Sequence, residues 1–372
     1  MTRISHQDSF VVDGMPDMDT SGRPTSFFEF WPAWVMYLPV VIQWVFLALR
    51  YRSLSLPLLA NPSIPLSGMV GVPKTAVFEQ AGSLARSWIL PWFDYEVTEE
   101  SAADQKSRVM RLLAEAGLAL PLVAKPNLGC RGAGVKLLQS ETDLLDYLIS
   151  FPVAGSIQFQ KLADWEPEAG VFYVRHPDQQ AGTITSLTLK YMPYVIGDGK
   201  ATLGELIGRD PRAGKLQHLY QERHSQNWDK VIAADQPFRL VFAASHSRGA
   251  IFRDGNAYIT DKLSKTLDTI FSDIPGFHYG RLDIKFRNLD SFMNGEEFAI
   301  VEINGASSES IHIWDRNTGF CEAVGTLLQQ YRTLFTLGHA NRQLGYLPPG
   351  LRALWHAWRR ESRLVKQYPT ND

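Results

Sequence analysis

Two short stretches decide the fold of this chain, GRLDIKF at residues 280–286 and FAIVEIN at residues 298–304. Both alternate polar and apolar residues with a period of two, which is typical of strands with one buried face. If the strands pair side by side, Asp283, Glu302 and Asn304 bring their oxygen atoms together, and hard oxygen ligands of this kind suit Mg²⁺. An antiparallel sheet with an ordinary solvated face would show the same alternation, so the pattern alone leaves both interpretations open.

A glycine-rich stretch, PNLGCRGAGV at residues 126–135, follows a short apolar strand that ends at Lys125. Glycines lack a Cβ atom, so the backbone N–H groups of such a loop can approach phosphate oxygens, and the lysine can add positive charge. The stretch fits neither a Walker A loop nor the turn that opens a Rossmann helix. Residues 135–138 have the pattern of a second strand, which predicts a strand–loop–strand hairpin. Glycines also serve ordinary turns, so this signal is weak by itself.

Other predicted elements surround these motifs. Thr202, with Glu205 three residues later, forms the capping-box pattern of a helix start directly after a Gly-Asp-Gly turn. The remaining elements are a helix at residues 104–118 and strands at residues 156–162, 170–175 and 187–193.

The composition excludes several classes of protein. The chain has 372 residues, of which 45% are hydrophobic and 20% are charged, enough for a sizeable core in about two domains or one bilobal domain. Its net charge of −2 argues against a nucleic-acid partner, because such a protein needs a basic excess to neutralise phosphates. Two cysteines, Cys130 and Cys321, are too few for a disulfide scaffold or a cysteine-built zinc site, and they fit a reducing, cytoplasmic location.

The N-terminal region changes character after a polar arm of 26 residues that predicts disorder. Residues 30–49 carry no charge over twenty positions, which is enough for a bilayer core at about 1.5 Å rise per residue. Arg50 and Arg52 follow, and they would keep the C-terminal side of a spanning segment in the cytoplasm. Internal prolines and several tryptophans fit a segment that lies in the headgroup region, and a helix buried inside the protein is a third alternative.

The C-terminal residues 351–366 predict a basic amphipathic helix. Trp355 and Trp358 fall on one helical stripe, while Arg359 and Arg363 fall on another. Such a helix suits an anionic membrane surface, although a terminal helix docked on its own domain would have the same pattern. We therefore expect three regions: residues 1–75 with the hydrophobic segment, residues 76–335 with the chemistry, and residues 336–372 with the basic helix.

Five motifs occur in an order that resembles the ATP-grasp superfamily of carboxylate–amine ligases. They are a Lys-Pro strand end before a glycine-rich loop, a hinge strand, a Gly-Asp-Gly-Lys-x-Thr turn, a Gly-Arg-x-Asp strand and a Glu-x-Asn strand. Residues 280–283 and 302–304 resemble the metal strands of D-alanine–D-alanine ligases, and residues 195–207 resemble cyanophycin synthetases. The resemblance covers roughly residues 100–335. It implies an α/β (α+β) ATP-grasp fold in which two α/β lobes sandwich ATP.

The resemblance also implies roles for individual residues. Lys125 would hold ATP phosphates, Lys190 would present a cation to the γ-phosphate, and Arg281 would stabilise the acylphosphate and tetrahedral intermediates. The other implied nucleotide-binding residues are Gly129, Arg131, Gly132 and Gly134 in the loop, Gln160, Lys161 and Leu162 in the adenine hinge, and Glu168 at the ribose. Asp283, Glu302 and Asn304 would bind Mg²⁺, as two ions in the family pattern, with Mn²⁺ as a substitute.

The chain also departs from the family pattern. A second nucleotide-binding lysine on its own strand is missing before the glycine loop, and Lys74 and Lys106 are both candidates to replace it. The usual N-terminal substrate domain is replaced by the hydrophobic residues 27–66. We expect an ATP-dependent ligase that joins a carboxylate to an amine, on a small-molecule, lipid-linked or otherwise hydrophobic substrate, at the cytoplasmic face of a membrane. The alternatives are a soluble ligase whose hydrophobic N-terminus forms a homodimer interface, and a kinase-like phosphotransferase.

Overall fold

Two β-sheets organise the molecule, for which a computed structural model describes residues 10–29, 31–129, 132–245 and 249–369. The larger sheet contains, in spatial order, β11 (Phe298–Asn304), β10 (Tyr279–Phe286), β5 (Glu168–Val174), β6 (Thr183–Tyr191) and β9 (Ile251–Asp254). The smaller sheet contains β1 (Trp92–Glu96), β4 (Ser156–Lys161), β2 (Leu122–Pro126) and β3 (Lys136–Leu138). A two-stranded ribbon pairs β7 (Tyr194–Ile196) with β8 (Pro237–Arg239). All neighbouring strands in these sheets are antiparallel.

Helices pack on the sheets and extend the fold at both ends. Their bounds are α1 (Ala33–Tyr51), α2 (Thr75–Phe78), α3 (Ser83–Trp88), α4 (Ala102–Glu115), α5 (Glu141–Ser150), α6 (Leu203–Arg209), α7 (Gln217–Arg223), α8 (Asp261–Ser272), α9 (Leu289–Met293), α10 (Phe320–Gln343) and α11 (Leu351–Val365). The predicted capping box at Thr202 and Glu205 is present at the start of α6. The mixed α and β class predicted from the sequence is confirmed.

Each sheet has its own apolar core, so the molecule has two α/β lobes. The five-stranded sheet packs on α8 through buried residues such as Leu267 and Phe271. The four-stranded sheet packs on α4 and α5 through residues such as Leu113 and Leu144. On the opposite face of the larger sheet, Phe172 and Tyr279 pack against Leu334 and Leu337 of α10, and the polar side chains of β10 and β11 lie on that same face because side chains alternate along a strand.

The polar N-terminal arm is ordered from residue 10 onward, which corrects the expectation of disorder there; residues 1–9 lie outside the described residues. The rings of Phe10 and Tyr194 lie 4.6 Å apart between centroids. Val11 and Met15 pack against the core of the larger sheet. Apolar side chains placed between the acidic residues allow the arm to bury surface despite its polarity.

The hydrophobic N-terminal segment forms α1, which packs lengthwise on α10. Met36, Val40 and Ala48 are buried in the contact with α10. Its window Trp34–Tyr51 is long and apolar enough to cross a membrane by length and composition, and 17% of that window is buried. One stripe of α1 is therefore part of the protein core, while its opposite face is exposed.

The C-terminal part of the fold contains α10 and α11. The expected boundary between residues 335 and 336 falls inside α10, which is continuous from Phe320 to Gln343. The predicted amphipathic helix is present as α11, and Trp355 and Trp358 on it are about half exposed.

Candidate active site

The predicted pairing of the two metal strands is present. β10 and β11 are antiparallel, with Asp283 opposite Glu302 and Arg281 opposite Asn304. Residues that face each other across an antiparallel pair project to the same side of the sheet. The three predicted oxygen ligands and the predicted catalytic arginine therefore share one face.

Lys190 joins this face to the neighbouring strands. It lies opposite Glu168 in the β5–β6 pair, and its Nζ is 2.9 Å from Glu168 Oε1 and 2.7 Å from Asp283 Oδ1. Arg281 Nε is 3.0 Å from the same Asp283 oxygen. Gly170 leaves room for the lysine, because a Cβ atom there would lie 3.3 Å from Lys190 Cε. These four residues lie on three strands, β5, β6 and β10, and form one largely buried cluster.

The charges in this cluster stabilise one another. Burial alone would raise the pKa of Asp283, but Arg281 and Lys190 outweigh it and hold that pKa well below its usual range. Burial alone would lower the pKa of Lys190, but Asp283 and Glu168 raise it above the ordinary value. Burial would likewise raise the pKa of Glu302, and Lys74 brings it below the usual value. These groups are consequently charged at neutral pH.

The glycine-rich loop connects β2 to β3, as the sequence predicts. Residues 122–124 pair antiparallel with residues 136–138. Gly132 and Gly134 have φ angles of +72° and +70°, a left-handed conformation that favours glycine. Arg131, the remaining predicted residue of this loop, lies outside the described residues together with Cys130.

Lys125, at the end of β2, extends from the smaller sheet toward β11 of the larger one. Its Nζ lies 2.6 Å from Gln160 Oε1 and 3.2 Å from the backbone oxygen of Val301. In the described part of the chain, no carboxylate lies within ion-pair distance of this amine. Burial lowers the pKa of Lys125 to about 8. Lys125 is therefore a half-buried cation held by neutral oxygens.

Lys74 is a site residue that the sequence left unassigned. Its Nζ lies 2.7 Å from Glu302 Oε1 and 3.1 Å from the backbone oxygen of Gly129 in the glycine-rich loop. The other candidate, Lys106, pairs with Glu141 at the surface. The available sequence signal was that Lys74 is the sole Lys or Arg between residues 53 and 85, in a stretch rich in proline and glycine.

The predicted adenine hinge is only partly assembled around the cluster. Gln160 is buried and accepts the Lys125 hydrogen bond, so it belongs to the site. The Lys161 side chain instead pairs with Asp164 at 2.7 Å in a surface bridge. Leu162 follows the end of β4 and is half-buried. Glu168, the predicted ribose ligand, is bonded to Lys190 and, at 3.0 Å, to Lys285.

The C-terminal segment after α11 covers the glycine-rich loop, which sequence reasoning missed. Tyr368 donates a hydrogen bond from its Oη to the backbone oxygen of Leu128. Its ring stacks on Phe151 with 5.1 Å between centroids. A Cβ atom added at Gly129 or Gly134 would lie 3.2 Å from Tyr368. The loop and the C-terminus are therefore in direct contact.

The loop after β11 connects the cluster to α1. The backbone oxygen of Glu309 accepts a hydrogen bond from Arg281 at 3.3 Å, and its carboxylate accepts hydrogen bonds from Tyr37 on α1 and from Trp314. Ile313 is buried in the same core as α1 residues. A substrate bound beside Arg281 would thus lie next to a loop that rests on the hydrophobic helix.

The donor set on the β10–β11 face fits a hard divalent cation. Among the described residues, no group of three or more His, Cys, Asp or Glu side chains is placed to hold a metal, so the set reaches three donors only through the Asn304 amide. Asn304 Nδ2 is buried and has no hydrogen-bond partner in the described chain. Two carboxylates and an amide oxygen are ligands that Mg²⁺ and Mn²⁺ accept, with Asp283 and Glu302 as the charged members.

Comparisons with known proteins gave structural likeness only. No family profile and no curated protein sequence matches the chain. It is similar to a bifunctional glutathione synthetase from Pasteurella multocida, at 15% identity and a TM-score of 0.34, over 69% of this chain and 35% of that one. It is also similar to the D-Ala:D-Ser ligase VanG from Enterococcus faecalis, at 13% identity and a TM-score of 0.39, over 72% and 64%.

A third similar structure is the D-alanine–D-alanine ligase from Coxiella burnetii, at 9% identity and a TM-score of 0.38, over 81% of this chain and 64% of that one. The aligned part of the chain thus spans about a third to two thirds of these proteins. Identities and TM-scores of this size assign no activity to the chain.

Proposed function

We propose that the protein is an ATP-grasp ligase that joins a carboxylate to an amine and converts ATP to ADP and phosphate. The observation that carries this proposal is the convergence of cations from two lobes on one set of carboxylates. Four cations lie within 3.0 Å of one of three carboxylates, and a fifth, Lys125, reaches the backbone oxygen of Val301 beside them. The carboxylates are Glu168, Asp283 and Glu302, and the cations are Lys74, Lys125, Lys190, Arg281 and Lys285.

Excess positive charge in a buried site suits a polyanion such as the ATP triphosphate. Lys125 and Lys74 flank the glycine-rich loop, and we assign both to the phosphates. Mg²⁺ held by Asp283, Glu302 and Asn304 would neutralise phosphate charge during transfer. The protein residues position the substrates and neutralise the phosphate charge. This reaction requires no covalent bond between the protein and a substrate.

The proposed reaction has two steps. A substrate carboxylate oxygen attacks the γ-phosphorus, the bond to the β-phosphate oxygen breaks, and ADP leaves an acylphosphate. The amine nitrogen then attacks the acyl carbon, the C–O bond to phosphate breaks, and the nitrogen releases a proton to solvent. Arg281, beside the loop of Glu309, is placed to stabilise the negative charge of both stages.

The test measures products from ATP over pools of carboxylates and amines, including membrane lipid extracts. We expect ADP and inorganic phosphate in equal amounts, and a hydroxamate when hydroxylamine replaces the amine. AMP and pyrophosphate would instead identify an adenylating enzyme, and a stable phosphorylated product would identify a kinase. Either outcome would overturn the proposal.

A further inference from the structure

The outer face of α1, defined by Trp34, Leu38, Val41, Ile42, Val45, Phe46 and Leu49, is an exposed apolar surface. Each of these side chains is 51–72% exposed. Their spacing follows the helical repeat, so they form one stripe about 22 Å long at about 1.5 Å per residue. A contiguous apolar patch of this size is uncommon on a soluble monomer and marks a contact surface.

A groove of about 400 Å³ lies beside this face, between α1 and α10. Ile42 and Phe46 on α1 and Leu328 on α10 supply apolar lining. Arg50 and Arg332 also line it, and each lies one helical turn beyond an apolar lining residue. The groove therefore offers apolar surface for an acyl chain and two cations for an anionic headgroup.

The charged residues of the α1 segment are basic. Between residues 30 and 78 the sequence contains no Asp or Glu, while Arg50 lies in the last turn of α1 and Arg52 caps its C-terminus. Glu29, just before this stretch, is buried in an ion pair with Arg212. If two copies of the chain paired through α1, the arginines of both copies would lie near one another, and this segment would supply no carboxylate to neutralise them. An anionic membrane surface would neutralise them.

We propose that the outer face of α1 docks in the plane of a bilayer with anionic headgroups, and that α1 lies on the membrane and does not cross it. Crossing would strip Met36, Val40 and Ala48 from their buried contacts with α10. The anionic lipids of the cytoplasmic leaflet match the arginines at the end of the helix.

This docking would also place the active site at the membrane. Tyr37 lies on α1 and bonds Glu309, so the loop beside Arg281 would lie within about one helix diameter of the lipid. This last step rests on the proposed ligase function, and it identifies the substrate class as an amphiphile whose apolar part stays in the bilayer. The docking itself is independent of any turnover.

The test is flotation of the full chain with vesicles of phosphatidylglycerol and phosphatidylcholine, compared with phosphatidylcholine alone. We expect flotation with the anionic vesicles, and release by alkaline carbonate, which extracts peripheral proteins. The variant Ile42→Gln/Phe46→Gln/Leu49→Gln should lose at least tenfold in affinity. The variant Arg50→Gln/Arg332→Gln should lose about fivefold per arginine on anionic vesicles only.

The matched control is Ile149→Gln/Val153→Gln, which removes two apolar side chains that are 65% and 54% exposed at and after the end of α5. It should float like the unchanged chain, and all variants should keep the same thermal unfolding. Failure to float, resistance to carbonate, or an equal loss in the control would overturn the proposal. So would a dimer, measured by light scattering, that the triple variant converts to monomer. ATP turnover is measured separately, so its failure would count against the ligase function alone.

Discussion

Two lysines of one site, the buried Lys190 on the larger sheet and the half-buried Lys125 on the smaller one, have pKa values that shift in opposite directions. Lys190 is bonded to two carboxylates, which keep its pKa above the ordinary value against the effect of burial. Lys125 is bonded to two neutral oxygens, and burial lowers its pKa to about 8. The comparison teaches that Lys190 is already paired with carboxylates, whereas Lys125 has none within ion-pair distance among the described residues.

The largest effect on ATP turnover is expected from a substitution on the larger sheet. Glu302→Gln should reduce ATP turnover by about a thousandfold or more, because it removes a charge that we propose holds the metal and also removes the partner of Lys74. Steady-state ADP release measures this effect, and circular dichroism checks that the fold is retained. Glu297→Gln, which changes an exposed glutamate paired with Arg287, is the matched control and should turn over normally.

Replacing each of the two lysines by methionine should change the free energy of unfolding in opposite directions. Lys190→Met leaves Glu168 and Asp283 without a partner and should lower the free energy of unfolding by about 3–5 kcal/mol. Lys125→Met removes a desolvated charge and should raise it by about 1–3 kcal/mol at pH 7. Denaturant unfolding of both variants tests the contrast, and equal destabilisation would refute it.

The pH dependence of stability and of ATP affinity gives a second test of the difference between Lys125 and Lys190. Lys125 has a pKa of about 8 in the folded chain, below the ordinary 10.5. The unfolded chain therefore binds more protons between pH 8 and 10.5, and Lys125 should make the free energy of unfolding rise over that range. ATP affinity should fall over the same range by about tenfold, because the lysine loses the charge that attracts phosphate. Both trends should be absent in Lys125→Met, as calorimetry and unfolding can show.

Lys74 and Lys106 extend the comparison to the second nucleotide-binding lysine, which the family pattern has and this chain lacks at the usual place. Lys74→Met should raise the Kd for ATP by about ten- to a hundredfold, since a charge-assisted contact to phosphate is lost. Lys106→Met, at a surface pair with Glu141, should change it less than twofold. Equal effects of the two variants on calorimetric titrations would remove Lys74 from the site.

The smallest effect is expected at the C-terminal contact with the glycine-rich loop. Tyr368→Phe removes the hydrogen bond to the Leu128 carbonyl but keeps the ring stacked on Phe151. We expect a two- to threefold rise in KM for ATP and faster hydrogen exchange in residues 132–135, with the exposed Tyr346→Phe as control. An unchanged loop would show that Tyr368 only anchors the C-terminus.

The strands of the site could be predicted because their evidence is local. Alternation over seven residues predicts β10 and β11, and three glycines after a strand predict the hairpin. Lys74, Tyr368 and Tyr37 could not be placed in the same way. Their contacts span 228, 240 and 272 residues, and no periodicity within a short window encodes which distant segments meet. The sequence shows α1 as an apolar run, but only the structure shows which side of the helix packs on α10 and which side is exposed.

The packing of α1 on α10 has a consequence for synthesis of the chain. α1 ends at Tyr51, whereas α10 begins at Phe320. At about 5–20 residues per second, α1 leaves the ribosome roughly tens of seconds before its partner exists. During that interval its entire apolar circumference is exposed to whatever binds nascent hydrophobic helices, a chaperone or the membrane itself. The order of residues in the chain thus leaves α1 uncovered until α10 has been synthesised.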